Sequence, residues 1–192
     1  MLRRIKFLLD ITHNRDIMRR YVVVNGFDGA LTMLGLIIGF IVSEADDLSV
    51  IISVCLGAAI ALGMSGLSSA YISESAERKH ALGKLEQAMI SDLRESAHGD
   101  ASRWVPLLTA LVNGLSPLLI SLLILSPIAL SIAGVPLPFS PLYSAIVIAL
   151  LLIFLLGVFL GSIAQISWLR SGLQTLFVAI VTVILIYLIA GS

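Results

Sequence analysis

The sequence is poor in the residues that carry soluble chemistry: one cysteine, three histidines and 12% charged residues in a chain of 192. A single cysteine excludes an intrachain disulfide, and Cys55 sits in an apolar stretch, where it reads as an inert small residue. No Cys-x-x-Cys pair, His-Glu-x-x-His helix, phosphate loop or Ser-His-Asp arrangement is present, so an enzyme is the class the sequence supports least. No tightly bound cofactor and no nucleic-acid partner are expected.

Apolar residues fill the space. They make up 58% of the chain, with a mean hydropathy of +1.05, more than one soluble core of this size can hide. Lipid is the expected solvent. Crossing a hydrocarbon layer of roughly 30 Å takes about 20 helical residues, and five stretches reach that length: 21–42, 48–72, 104–124, 142–163 and 173–190. The expected fold is an all-α integral membrane protein of five transmembrane helices. A basic N-terminal arm (1–20) precedes the first two spans (21–72), and a cytoplasmic helical segment (73–103) separates them from the last three (104–192).

The net charge of zero conceals an asymmetry. Arg3, Arg4, Lys6, Arg15, Arg19 and Arg20 precede the first span. Arg78, Lys79, Lys84, Arg94 and Arg103 lie between the second and third, and Arg170 between the fourth and fifth. With five spans these regions share one side, while Glu44, Asp46, Asp47 and an uncharged connection at 134–141 lie on the other. The positive-inside rule then puts the N-terminus in the cytoplasm and the C-terminus outside a multi-pass cell-membrane protein. The arm has a basic start, but Lys6 and Asp10 break its apolar run and no small-residue cleavage site follows, against a removable signal peptide. Leu2, Ile5, Leu8, Leu9 and Thr12 fit a helix lying on the inner membrane surface; a frayed basic tail is the alternative.

One acid is out of place. Asp28 lies about 10 Å of helix beyond Tyr21, inside the first span, and no span contains a Lys or Arg to pair with it. It must be protonated, reach a water-filled cavity, or hold a cation. Asn25, Asp28 and Thr32 follow at helical spacings of three and four, and Gly35 and Gly39 continue near that face. Oxygen donors followed by glycines fit a cation path along a close helix contact, or small-residue packing around a neutral, hydrogen-bonded acid. In the second span Gly57, Ala61, Met64, Ser65 and Ser68 form another small face, where Met64 is either a soft sulfur ligand or packing. Asn113-Gly114-Leu115-Ser116-Pro117 interrupts the third span, and Pro117 frees a backbone carbonyl, at a cavity wall or at an ordinary kink.

The run Arg20-Tyr21-Val22-Val23-Val24-Asn25-Gly26-Phe27-Asp28-Gly29-Ala30-Leu31 leads into a glycine-rich helix. The second span reads Gly57 to Gly66 through Gly63-Met64-Ser65 and ends in Ser73-Glu74-Ser75-Ala76-Glu77-Arg78. With a proline-bearing third helix and Ser167-Trp168-Leu169-Arg170-Ser171-Gly172-Leu173 opening the last one, the chain resembles the vacuolar iron transporter family, as a divergent prokaryotic-type member with a shortened cytoplasmic loop. The resemblance implies a homodimer whose first helices line a central path, and proton-coupled movement of Fe2+ or Mn2+ out of the cytoplasm. It carries the family's first-helix acid onto Asp28 and its second-helix methionine onto Met64. The tyrosine that follows that methionine by five in the family is Tyr71 here, seven on, and an acid about two turns before it falls on Leu56.

The segment 73–102 is polar and free of proline, which predicts a helical extension and then a short amphipathic helix with a stripe of Leu82, Leu85, Met89 and Leu93. Better-known members of the family carry a longer glutamate-rich domain here. Two Glu-x-x-His pairs, Glu77 with His80 and Glu95 with His98, are expected to place two ligands each on one helix face, with Glu74 one turn before the first. They read as cytoplasmic metal capture, or as a solvated face on which Glu74 or Glu77 pairs with Arg78 or Lys79. The leading expectation is a divalent-metal exporter with Asp28, Asn25, Thr32 and Met64 along the path. The alternatives are a transporter or channel for another solute, in which Asp28 carries a proton, and a non-transporting scaffold whose small-residue faces, Gly157-x-x-x-Gly161 among them, only drive helix association.

Overall fold

The computed structural model describes residues 14–190. Among them there are five helices and no strand: α1 (Asn14–Val42), α2 (Leu48–Met89), α3 (Ala97–Ile132), α4 (Pro141–Ile163) and α5 (Trp168–Ala190). All five are long and apolar enough to cross a membrane, which bears out the expected all-α membrane architecture. The residues on which the amphipathic arm rested, Leu2, Ile5, Leu8, Leu9 and Thr12, lie outside the described residues; α1 is already helical from Asn14.

Two helices overshoot the bilayer. At about 1.5 Å per residue the 42 residues of α2 extend about 63 Å, twice a hydrocarbon core of roughly 30 Å. The stripe of Leu82, Leu85 and Met89 is therefore the end of α2 itself, and Leu93 falls in the connection that follows. The separate amphipathic helix expected there does not form. Ile90 ends α2 in the left-handed region (φ 50°), and the Glu86 side chain accepts a hydrogen bond from the Leu93 N–H at 3.1 Å. Ser96 then caps α3, its hydroxyl accepting from the His98 and Gly99 N–H groups. Gly99 is required by this tight return, because a Cβ there would lie 2.6 Å from the Leu93 carbonyl oxygen. At the opposite end Asp47 caps α2, accepting from the Ser49 N–H at 2.8 Å, which assigns part of the acidic turn to helix capping.

α1 touches all four other helices, and α3 packs against α1, α2 and α4. Their buried side chains form one core: Met33, Leu34 and Ile37 of α1 meet Ile51 and Cys55 of α2, Ile124 and Ile128 of α3, Ala149 and Ile153 of α4 and Ala179 of α5. With lipid as solvent, such packing rests on close backbone approach. Gly157 and Gly161 of α4 accordingly lie against Thr175 and Ser171 of α5, and Thr175 donates to the Ile153 carbonyl at 3.1 Å. That glycine face joins two helices of the same chain.

Candidate functional site

The segment 25–29 divides by helical geometry. Gly26 and Gly29 turn toward α3, where a Cβ on Gly29 would lie 2.8 Å from both the Cα and the carbonyl oxygen of Pro117. Ser116 donates to the Val22 carbonyl at 2.6 Å, fixing the same contact. The interruption of α3 at Pro117 is thus a seat for α1. On the other side of the seat, Gly63 and Gly66 of α2 press on Gly114 and Asn113; Cβ atoms there would come within 3.1 Å of the Gly114 and Asn113 carbonyl oxygens. The Asn113 carbonyl is the one Pro117 leaves without an intrahelical donor, and the α2 backbone closes over it.

Asn113 was legible only as part of a helix break; in the fold it joins three helices. Its side-chain oxygen accepts from the Asn25 amide, and its own amide donates to the Gly66 carbonyl at 2.7 Å. Asn25 also donates to the Tyr21 carbonyl at 2.9 Å. Both amide hydrogens of Asn25 are committed to protein, so it serves as a strut between α1 and α3. An asparagine at the centre of an apolar span, with no charge to solvate, was the signal that could have marked Asn113 as a partner.

Asp28 lies on the opposite side of α1 from the core. It is exposed, and no hydrogen bond or ion pair joins it to another described residue. Thr32, one turn on, is half-buried. Met64, between the two packing glycines of α2 in sequence, turns away from both contacts and is 59% exposed. The Asn25–Asn113–Gly66 level gives the depth of both residues. Asp28 is three residues further from the basic end, about 4.5 Å, and Met64 is two residues further on the antiparallel α2, about 3 Å. Asp28 and Met64 therefore share a depth, each pointing off its own helix away from α3. The hydroxyl of Ser68 donates to the Met64 carbonyl at 2.7 Å, so this polar group on the α2 face is satisfied by its own helix.

The candidates at the basic end of the helices separate. Glu74 is 5% exposed between α2 and α3, and one of its oxygens lies 3.3 Å from the Arg78 guanidinium. Glu77 and His80 are exposed on α2, turned about 140° and 160° around the helix from Met64. Glu95 and His98 do not share a helix face as expected: Ser96 stands between them as the N-cap of α3, with Glu95 in the connection and His98 in the first turn. Among the described residues no three His, Cys, Asp or Glu side chains are grouped closely enough to hold a metal ion.

No protein-family model matches the chain, and no solved structure does. A relative is found among archaeal proteins: over 181 residues, 93% of this chain and 91% of the other, the sequence is 30% identical to the uncharacterized protein MJ0645 of Methanocaldococcus jannaschii. The match runs through all five helices, and the chain belongs to the family of that archaeal protein.

Proposed function

We propose that the protein exports a divalent metal ion, Fe2+ or Mn2+, from the cytoplasm, as a homodimer in which the α1 helices line the path. The observation that carries this reading is the outward placement of Asp28 on a helix that touches all the others. An aspartate at the centre of a membrane helix costs about 2.5–3.5 kcal/mol against lipid, so that face calls for a covering surface. A second copy, turned about a two-fold axis, supplies one and sets two carboxylates near each other. Two such acids in a low dielectric hold protons or a cation, and exchanging the first for the second couples metal to proton movement. Thr32 adds a hydroxyl one turn on, and Met64 a thioether at the same depth. Asn25 serves the site by positioning α1. With Glu74 paired to Arg78, the cytoplasmic attraction falls to Glu77, His80, Glu95 and His98. The placement of Lys and Arg supports the N-in, C-out orientation.

A second reading rests on the same exposed acid, which has no basic partner in the spans: Asp28 carries a proton and the transported solute is not a metal. Thermal unfolding of the purified protein separates the two. With Mn2+ at about 100 times its Kd, the metal reading expects about 2.7 kcal/mol of stabilisation, lost in Asp28→Asn. A melting temperature indifferent to Mn2+ but dependent on pH, with the pH effect lost in Asp28→Asn, belongs to the proton reading.

A further inference from the structure

The basic residues from the end of α2 to the first turns of α3 are not spread evenly over the surface. Arg78 is spent on Glu74. Three of the others face one cleft of about 360 Å³ where the end of α2, the connection and the first turns of α3 meet: Lys79 from α2, Arg94 from the connection and Arg103 from α3. The hydroxyls of Tyr71, Ser75 and Ser102 line it as well, and no carboxylate does. Among the described residues Lys79 and Arg103 have no ion pair, and Arg94 meets Asp92 only at 4.0 Å with both side chains largely exposed. Tyr71 and Ser75 make no side-chain hydrogen bond to another described residue. Three like charges around one hollow repel one another, and the positive end of α3 adds to them. The Tyr71 and Ser75 hydroxyls are free, Ser102 donates to the Gly99 carbonyl at 2.8 Å and can still accept, and a cleft with three cations and no internal anion is built for an external one.

The position narrows the anion. Tyr71 and Trp104, both about half-exposed, stand where α2 and α3 pass from apolar to polar sequence, the level at which such aromatics meet the bilayer surface. Ser68, Tyr71, Ser75 and Lys79 succeed one another at spacings of three, four and four, so the cleft continues down an exposed, shallow face of α2. We propose that this cleft binds a phosphate group at the membrane surface, either the head group of an anionic phospholipid whose chains lie along that face or free phosphate from solution. The proposal stands apart from metal transport, and it places metal entry elsewhere, since three cations repel a divalent ion.

The test uses full-length protein in a neutral detergent, with binding of phosphatidylglycerol, phosphatidylcholine and inorganic phosphate followed by native mass spectrometry and thermal unfolding. Lys79→Gln and Arg103→Gln are each expected to weaken the anion about fivefold, and the double variant about twenty-fivefold. Arg170→Gln, a cation at the same end outside the cleft, is expected to change nothing. Without ligand the double variant melts at or above the wild-type temperature, because a repulsion has been removed. The same charge dependence for phosphatidylglycerol alone identifies the lipid, and for inorganic phosphate as well it identifies the soluble anion; either supports the site. Equal binding by wild type and double variant, equal loss in Arg170→Gln, or a lower melting temperature of the ligand-free double variant overturns it.

Discussion

At the scale of single residues, Asp28 and its neighbours show how far spacing alone carries a reading. The absence of Lys and Arg from every span made Asp28 conspicuous without any structure, and its exposed, unpaired side chain fits that reading. Asn25 shared its stripe at a spacing of three, yet about 60° of rotation was enough to aim it at Asn113. Which of two residues on one face meets a neighbouring helix depends on where that helix lies, and periodicity does not contain that. Glu95 and His98 failed as a pair for a local reason: Ser96 offers its hydroxyl to the first N–H groups of α3, so the helix begins between them. If Asp28 is kept for function at the expense of stability, Asp28→Leu should raise the unfolding free energy in lipid or detergent, by up to about 3 kcal/mol, while removing transport. Differential scanning fluorimetry beside a flux assay measures both, and a destabilised variant would show that the carboxylate is structural.

Among the elements, α3 organises the site. Three prolines, Pro106, Pro117 and Pro127, lie inside it, all buried, and Pro117 is the surface on which α1 rests. The glycines of the 25–29 segment were legible as small; that Gly29 is indispensable and Gly57 is not became clear only from what stands opposite each. Gly29→Ala puts a methyl group 2.8 Å from backbone atoms of Pro117, which cannot yield, and should cost about 1–3 kcal/mol. Gly57→Ala meets nothing within 4 Å and should gain up to about 1 kcal/mol through helix propensity. Chemical or thermal unfolding of the two variants side by side checks the ordering. The length of α2 was half-visible in the sequence: the absence of proline in 73–102 predicted an extension, while the stop at Ile90, a β-branched residue with φ 50°, carries none of the usual glycine or asparagine signal.

For the molecule as a whole, the five-span count was legible because lipid demands long apolar runs and leaves few ways to satisfy them. The basic cleft was not, since its cations come from three segments that only the return at Gly99 brings together. Orientation can be read with single cysteines in a Cys55→Ala background. Ser91→Cys, in the exposed connection after α2, should react with an impermeant maleimide only from the cytoplasmic side, and Ser140→Cys, before α4, only from outside. The reverse pattern would invert the topology. The central claim is that Asp28 serves the passage of a divalent metal, and flux through reconstituted vesicles tests it most directly. Wild-type protein should carry Fe2+ or Mn2+ with accompanying proton movement, and Asp28→Asn should reduce that flux at least tenfold while remaining folded. Equal flux in the two proteins, or none in the wild type, would contradict the account.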